Sequence, residues 1–356
     1  MKIDVTIKSF DGEMSQFDIY IPSLSESMKN LINQILEMDS TPINIDGLNT
    51  IHFTDDYRNE LFAFQKSIGH REFATRNIIA SGHAQVVSVE AGEGKPDDIG
   101  YHIFIDKIIP FTILIGQLIE NNSEMKNDSR ISIARNSKNE FIRMIKHELA
   151  HVEDLNNQKR WVWLDALNSV KSLKNISRLC ALQFWEEYYA CKRSNFIFDE
   201  DVVSKNLKSL IKDLVTAEKE ICDLRWKYNN LEISLDDFVV KFNDYIKTAF
   251  IYCCYFMGHM NSIYEQMKGI IDAIIFPSRF FCFVPEMWNE LRRIDEVYPE
   301  WENPEILAGI STIFIKCINS FEVYLTDKEN GIRYDIPVRI LKPRNEEVQD
   351  KKWSVI

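Results

Sequence analysis

Two histidines and a glutamate stand in the pattern HExxH in this chain, as His147, Glu148 and His151. Positions four apart on an α-helix lie about 40° apart around the axis and about 6 Å apart along it, so both imidazoles can reach one tetrahedral ion. Glu148 stays near the ion without binding it, where its carboxylate can take a proton from an activated water. An accidental HExxH is expected on the order of 0.01 times in a chain with this histidine content. The motif therefore predicts a zinc site.

The residues around the motif indicate a helix in the middle of the fold. Ser137 and Glu140 have the SxxE spacing of a capping box, which predicts that the helix begins at Ser137. Apolar side chains surround the polar trio, namely Phe141, Ile142, Met144, Ile145, Leu149, Ala150, Val152 and Leu155. The alternative is two ordinary histidines on a packed helix. Buried polar groups are costly without a partner, however, and a metal ion supplies one.

Composition and charge narrow the class of partner. The 356 residues are 45% hydrophobic, which is typical of a globular protein, and their net charge is -12 without a Lys/Arg cluster. This balance argues against a nucleic-acid or anionic-membrane surface. We expect the substrate to be a protein or a peptide.

The N-terminal segment and the spacing of the cysteines favour a cytoplasmic protein. The N-terminal segment has no long apolar core, so it predicts neither a signal peptide nor an anchor. The most apolar run has nine residues, Ala249 to Met257, whereas a membrane span needs about 20. The seven cysteines include no CxxC pair, which favours reduced, mostly buried thiols over a disulfide framework.

Apolar periodicity divides the chain into two parts. Strand-like segments at 43–53, 84–90 and 101–105 precede the motif, whereas the pattern from Trp161 onward is almost entirely helical. We predict an α+β fold. Residues 1–160 form an α+β lobe with the HExxH helix, and residues 161–356 form a mainly helical lobe that carries the third metal ligand.

A catalytic zinc ion normally takes three protein ligands, so a third must come from outside the motif. The helical segment 176–193 offers Glu186 and Glu187 among aromatic residues, and a buried acidic pair is costly unless a positive charge faces it. Asp154 is the rival. It lies on nearly the same face as His147 but about 10 Å along the axis, which favours a supporting role. We expect one of the two glutamates to be the ligand.

The motifs HELAHVED and EYYA resemble those of the gluzincin metallopeptidases, in particular the anthrax lethal factor-like branch. The resemblance covers roughly residues 137–195. It implies a zincin-like first lobe with a central HExxH helix, a bound Zn²⁺ and hydrolysis of peptide bonds.

Residue by residue, the resemblance implies that His147 and His151 are metal ligands and that Glu148 is the general base. It makes Glu187 the third ligand and Asp154 the trailing aspartate of the motif. The cleft would lie between the two lobes.

The resemblance leaves the group that stabilises the transition state unassigned. Cys180 stands seven residues before Glu187, where the lethal factor-like pattern has a tyrosine. Other donors are possible by chemistry alone, namely Tyr188, Tyr189, His259 and His102. We expect Cys180 and Cys191, which share the side of the helix with Glu187, to be buried and inert thiols.

Substrate binding in gluzincins uses an edge strand near the metal, which pairs with an extended peptide. The strand-like segment Tyr101 to Ile105 is the best local candidate, and its alternation gives His102 and Phe104 one face. The alternative is an interior strand with both edges occupied.

These observations together predict a cytoplasmic zinc metallopeptidase. One alternative is a catalytically silent, peptidase-like binding or regulatory protein, and another is a zinc hydrolase of a non-peptide substrate. The presence of Glu148 favours an enzyme, since a purely structural metal needs no base.

Overall fold

The structure is a computed structural model that describes residues 4–7, 21–37, 42–54, 57–69, 84–90, 99–106, 129–169, 171–194, 200–273, 278–329 and 331–337. The strands in these ranges are β1 (Asp4–Ile7), β2 (Leu48–Thr54), β3 (Ala84–Val89), β4 (Gly100–Asp106), β5 (Tyr324–Lys328) and β6 (Gly331–Asp335). The α-helices are α1 (Ile21–Glu37), α2 (Tyr57–Ser67), α3 (Ser129–Gln158), α4 (Trp163–Ser169), α5 (Leu173–Ser194), α6 (Glu200–Asn229), α7 (Leu235–His259), α8 (Tyr264–Ala273), α9 (Val284–Asp295) and α10 (Ala308–Ser320). Short 3-10 helices span Asn261–Ile263, Arg279–Phe283 and Pro304–Leu307. The fold is α+β, mostly helical with a small mixed sheet.

The order of the sheet is β1-β2-β4-β3, in which β1 runs parallel to β2, β2 parallel to β4, and β3 antiparallel to β4. The prediction that Tyr101 to Ile105 is an edge strand is therefore wrong, because β4 pairs with a strand on each side. Among the described strands, β3 ends the sheet next to β4. Sequence alternation reports which faces of a strand are buried and says nothing about its two edges.

Helices cover both faces of this sheet. Tyr101, Ile103 and Ile105 of β4 pack on one face with residues of α1 and α3, whereas Phe104 packs on the other face with Leu61 of α2. Both rows of β4 side chains are therefore buried. A strand enclosed in this way is typical of the interior of a sheet covered on both sides.

The helix that carries the HExxH motif, α3, begins at Ser129, so the predicted start at Ser137 was wrong. The SxxE spacing also occurs inside helices, where residues three apart share a face. The apolar row that includes Phe141, Ile145 and Leu149 packs against the sheet. As expected, α3 is central.

The helices after α3 surround a second and larger apolar core, to which α5 contributes Phe184, Trp185 and Tyr188. Helix α5 packs against α3 on one side and against α7 and α10 on others. The proposed division at residues 160 and 161 stays a prediction, but the two cores meet along α3 and α5. Within the described ranges, no helix has both the length and the apolar composition needed to cross a bilayer.

Candidate metal centre

Two packed helices bring together the three side chains predicted as ligands. Helix α3 supplies His147 and His151 one turn apart, and α5 supplies Glu187 from the facing side. The Nε2 atoms of the two histidines are 3.1 Å apart. Oε2 of Glu187 lies 3.4 Å from Nε2 of His147 and 3.7 Å from Nε2 of His151. These three residues could hold one metal ion.

The spacing of the three atoms fits a zinc ion. With bonds of 2.0–2.1 Å, the edges of a zinc-centred tetrahedron measure about 3.3 Å, close to the three distances observed here. Oε2 of Glu187 is also buried and makes no hydrogen bond within the described part of the chain. A buried carboxylate oxygen is costly without a cationic partner, and a metal ion between it and the two imidazoles would supply one.

The charges of these groups attract one another. Burial alone would raise the pKa of Glu187, but the two imidazoles outweigh it and hold this pKa well below its ordinary value. Burial alone would lower the pKa of His151, but Glu187 outweighs it and raises the pKa to about 9. Near neutral pH, the metal-free centre therefore contains an ionised Glu187 and a protonated His151.

Glu148 lines the same cleft as the three ligand candidates. The cleft has a volume of about 300 Å³ and is bordered by α3, α5, α7 and the β3 strand. Only 6% of Glu148 is exposed, and this burial raises the pKa of its carboxyl group, although both histidines oppose the effect. A carboxylate with a raised pKa is a stronger base, as a general base requires.

The two rival ligands are turned toward other partners. Oδ1 of Asp154 accepts hydrogen bonds from the hydroxyl of Tyr298, at 2.6 Å, and from Nε1 of Trp185, at 3.4 Å. Nε2 of Gln158 donates both to Oδ2 of Asp154, at 2.8 Å, and to Oε1 of Glu186, at 2.7 Å. Asp154 thus connects α3 to α5 and to the segment after α9, in agreement with a supporting role. The geometry favours Glu187 as the third ligand.

The sequence analysis missed Tyr255, which lines the cleft from α7. Its ring centroid lies 6.0 Å from that of His147, and burial, followed by the charge of Glu187, raises its pKa well above the ordinary value. Tyr255 therefore keeps its proton and can donate it in a hydrogen bond. No spacing rule relates position 255 to the motif, because α7 reaches the centre only through its packing on α5.

The four donors proposed from the sequence have other positions. The hydroxyl of Tyr188 donates to Oδ1 of Asn261, and that of Tyr189 donates to Oε2 of Glu153. His102 contacts His52 and Phe64 on the α2 side of the sheet. Partial burial is the main cause that lowers the pKa of His259 to about 3. None of the four lines the cleft.

Ala84, Gln85 and Val86 form the β-strand wall of the cleft. They belong to β3, the last strand of the described sheet, and not to β4 as the sequence analysis expected. The strand beside the centre is therefore one of the two end strands of the described sheet, with a described strand neighbour on one side.

No protein-family model, curated protein or solved structure matches this chain. The assignment of the centre therefore depends on its own geometry and chemistry.

Proposed function

We propose that the protein is a zinc-dependent metallopeptidase of gluzincin type with a zincin-like first lobe. The observation that carries this proposal is the triangle of His147, His151 and Glu187, whose three edges suit one zinc ion. A buried Glu148 beside that triangle supports catalysis over a purely structural role for the metal.

The proposed reaction divides the work among four residues. A bound zinc ion would supply an activated water and polarise the carbonyl of the scissile bond. Glu148 takes a proton from the attacking water and returns it to the leaving amine. The two histidines and Glu187 would hold the ion, and the ionised state of Glu187 suits that role because metal ligands must be deprotonated.

An extended peptide is the substrate that suits the β-strand wall. Strand edges present backbone N–H and C=O groups that can pair with another extended chain, and β3 places such backbone beside the centre. Pairing with β3 would align a peptide across the cleft while its side chains alternate between the cleft and the solvent.

Tyr255 is the proposed donor to the oxygen that gains negative charge during hydrolysis. Tyr255→Phe is expected to lower kcat by about 10²- to 10³-fold, as the loss of one such donor typically does, with KM and zinc content unchanged. Tyr252→Phe is the matched control, since Tyr252 lies one turn away on α7 and does not line the cleft. Equal activity in both variants would remove Tyr255 from the mechanism.

Digestion of a complex peptide library tests the function itself. The zinc-loaded protein should create new peptide termini that mass spectrometry detects, and the same protein stripped of metal should create none. A protein that binds zinc stoichiometrically and yet cleaves no peptide in the library would contradict the proposal and favour a binding role.

A cytoplasmic location is part of the proposal. All seven cysteines are free, and five of them are buried, which suits a compartment that keeps thiols reduced.

A further inference from the structure

The thiol of Cys191 contacts the far side of the first proposed ligand. Its Sγ lies 3.6 Å from Nδ1 of His147, while Nε2 of the same ring faces His151 and Glu187. Nδ1 of His147 therefore faces the thiol, and Nε2 faces the other two proposed ligands. Because the two nitrogens lie on different edges of the ring, Cys191 does not compete for the ion that Nε2 would bind.

Close packing of two helices holds Cys191 in this position. The residue lies one turn after Glu187 on α5 and is 1% exposed. Gly258 of α7 faces it directly, because a Cβ at position 258 would come within 2.6 Å of the Cβ of Cys191 and within 2.5 Å of the backbone oxygen of Tyr188. The glycine lets the backbones of α5 and α7 approach, and the approach fixes the thiol against the imidazole.

We propose that Cys191 is a positioning residue that orients His147 for metal binding. An imidazole that binds a metal through Nε2 carries its proton on Nδ1, and this N–H needs an acceptor. The structure places the sulfur of Cys191 beside Nδ1 as this acceptor. A neutral thiol can accept the hydrogen bond, so Cys191 need not be ionised. The contact fixes both the tautomer and the direction of the ring. The inference rests on the proposed metal centre but not on peptide cleavage.

Zinc affinity and the spectrum of the cobalt-substituted protein test this role without a substrate. Cys191→Ala is expected to weaken zinc binding by about 10- to 100-fold, the usual effect of losing the partner of a ligand histidine, and to change the visible bands of bound Co²⁺. Cys191→Ser should restore part of the affinity, since a hydroxyl can also accept the proton. Cys254→Ala is the matched control, because it removes an equally buried thiol from α7, and it should leave both readouts unchanged.

NMR of the unmodified, zinc-loaded protein provides a second test that does not depend on the folding of a variant. We expect His147 to carry an exchange-protected proton on Nδ1. Parental affinity and spectrum in Cys191→Ala, or a proton on Nε2, would overturn the inference. A thiolate-to-cobalt charge-transfer band that disappears in Cys191→Ala would also overturn it, since Cys191 would then be a ligand. Failure to bind zinc at all would refute the centre as a whole, whereas zinc binding without peptidase activity would refute only the proposed function.

Discussion

Glu148→Gln is expected to lower the rate of peptide hydrolysis by about 10²- to 10⁴-fold while the protein still binds one zinc ion per chain. Glutamine has nearly the same shape as glutamate but cannot accept the proton of the attacking water. The ligand atoms stay in place, and the change removes a buried negative charge, so the fold should not suffer. Elemental analysis and cleavage rates of the purified variant check the two halves of this expectation.

Glu148→Asp is the companion variant, since it keeps a carboxylate but withdraws it by about one bond length. We expect its activity to lie between that of the parent and that of Glu148→Gln. Loss of zinc from a well-folded Glu148→Gln protein would contradict the role, because it would make Glu148 a ligand instead of a base.

Glu187→Gln is expected to weaken zinc binding by more than the 10- to 100-fold that typically follows the loss of a group beside a ligand. Its carboxylate supplies one of the three ligand atoms, and a neutral amide oxygen is a poor substitute. Glu186→Gln is the matched control, because the two glutamates are adjacent on α5 and line the same cleft, yet Glu186 accepts a hydrogen bond from Gln158. We expect Glu186→Gln to change the affinity by about tenfold or less.

Competition with a chromophoric chelator measures both affinities on the same scale. Asp154→Asn completes the series and should affect stability more than affinity, since Asp154 joins Tyr298, Trp185 and Gln158. A Glu187→Gln protein that binds zinc like the parent would refute the assignment of the third ligand.

Short motifs in the sequence were enough to predict which side chains of α3 and α5 belong to the candidate centre. His147 and His151 are one turn apart on a continuous helix, so their spacing alone was enough to place them together. Glu187 was predicted from its acidic neighbour, its aromatic surroundings and a short motif, and the structure places it facing both histidines.

Tertiary packing determined what the sequence analysis missed. Tyr255 reaches the centre because α7 packs closely on α5 at Gly258, and no periodicity within either helix indicates that contact. The spacing along α5 placed Cys191 on the side of Glu187, but its contact with His147 depends on the packing of α5 against α3. The same limit explains the error at β4, since the identity of a strand's neighbours depends on segments far away in the chain. The predicted helix start at Ser137 was wrong for a local reason, because the SxxE spacing occurs both at helix N-termini and within helices.

In the metal-free centre, the proton on His151 compensates the negative charge of Glu187, as a bound metal ion would do. It places positive charge between ligands that would otherwise leave a buried carboxylate uncompensated. Metal uptake is then an exchange of one cation for another, and the proton on His151 must leave as the metal arrives. Because the pKa of His151 is about 9, the proton competes throughout the neutral range. We therefore expect zinc affinity to fall as the pH drops below about 9, and the three side chains already face one another without a metal.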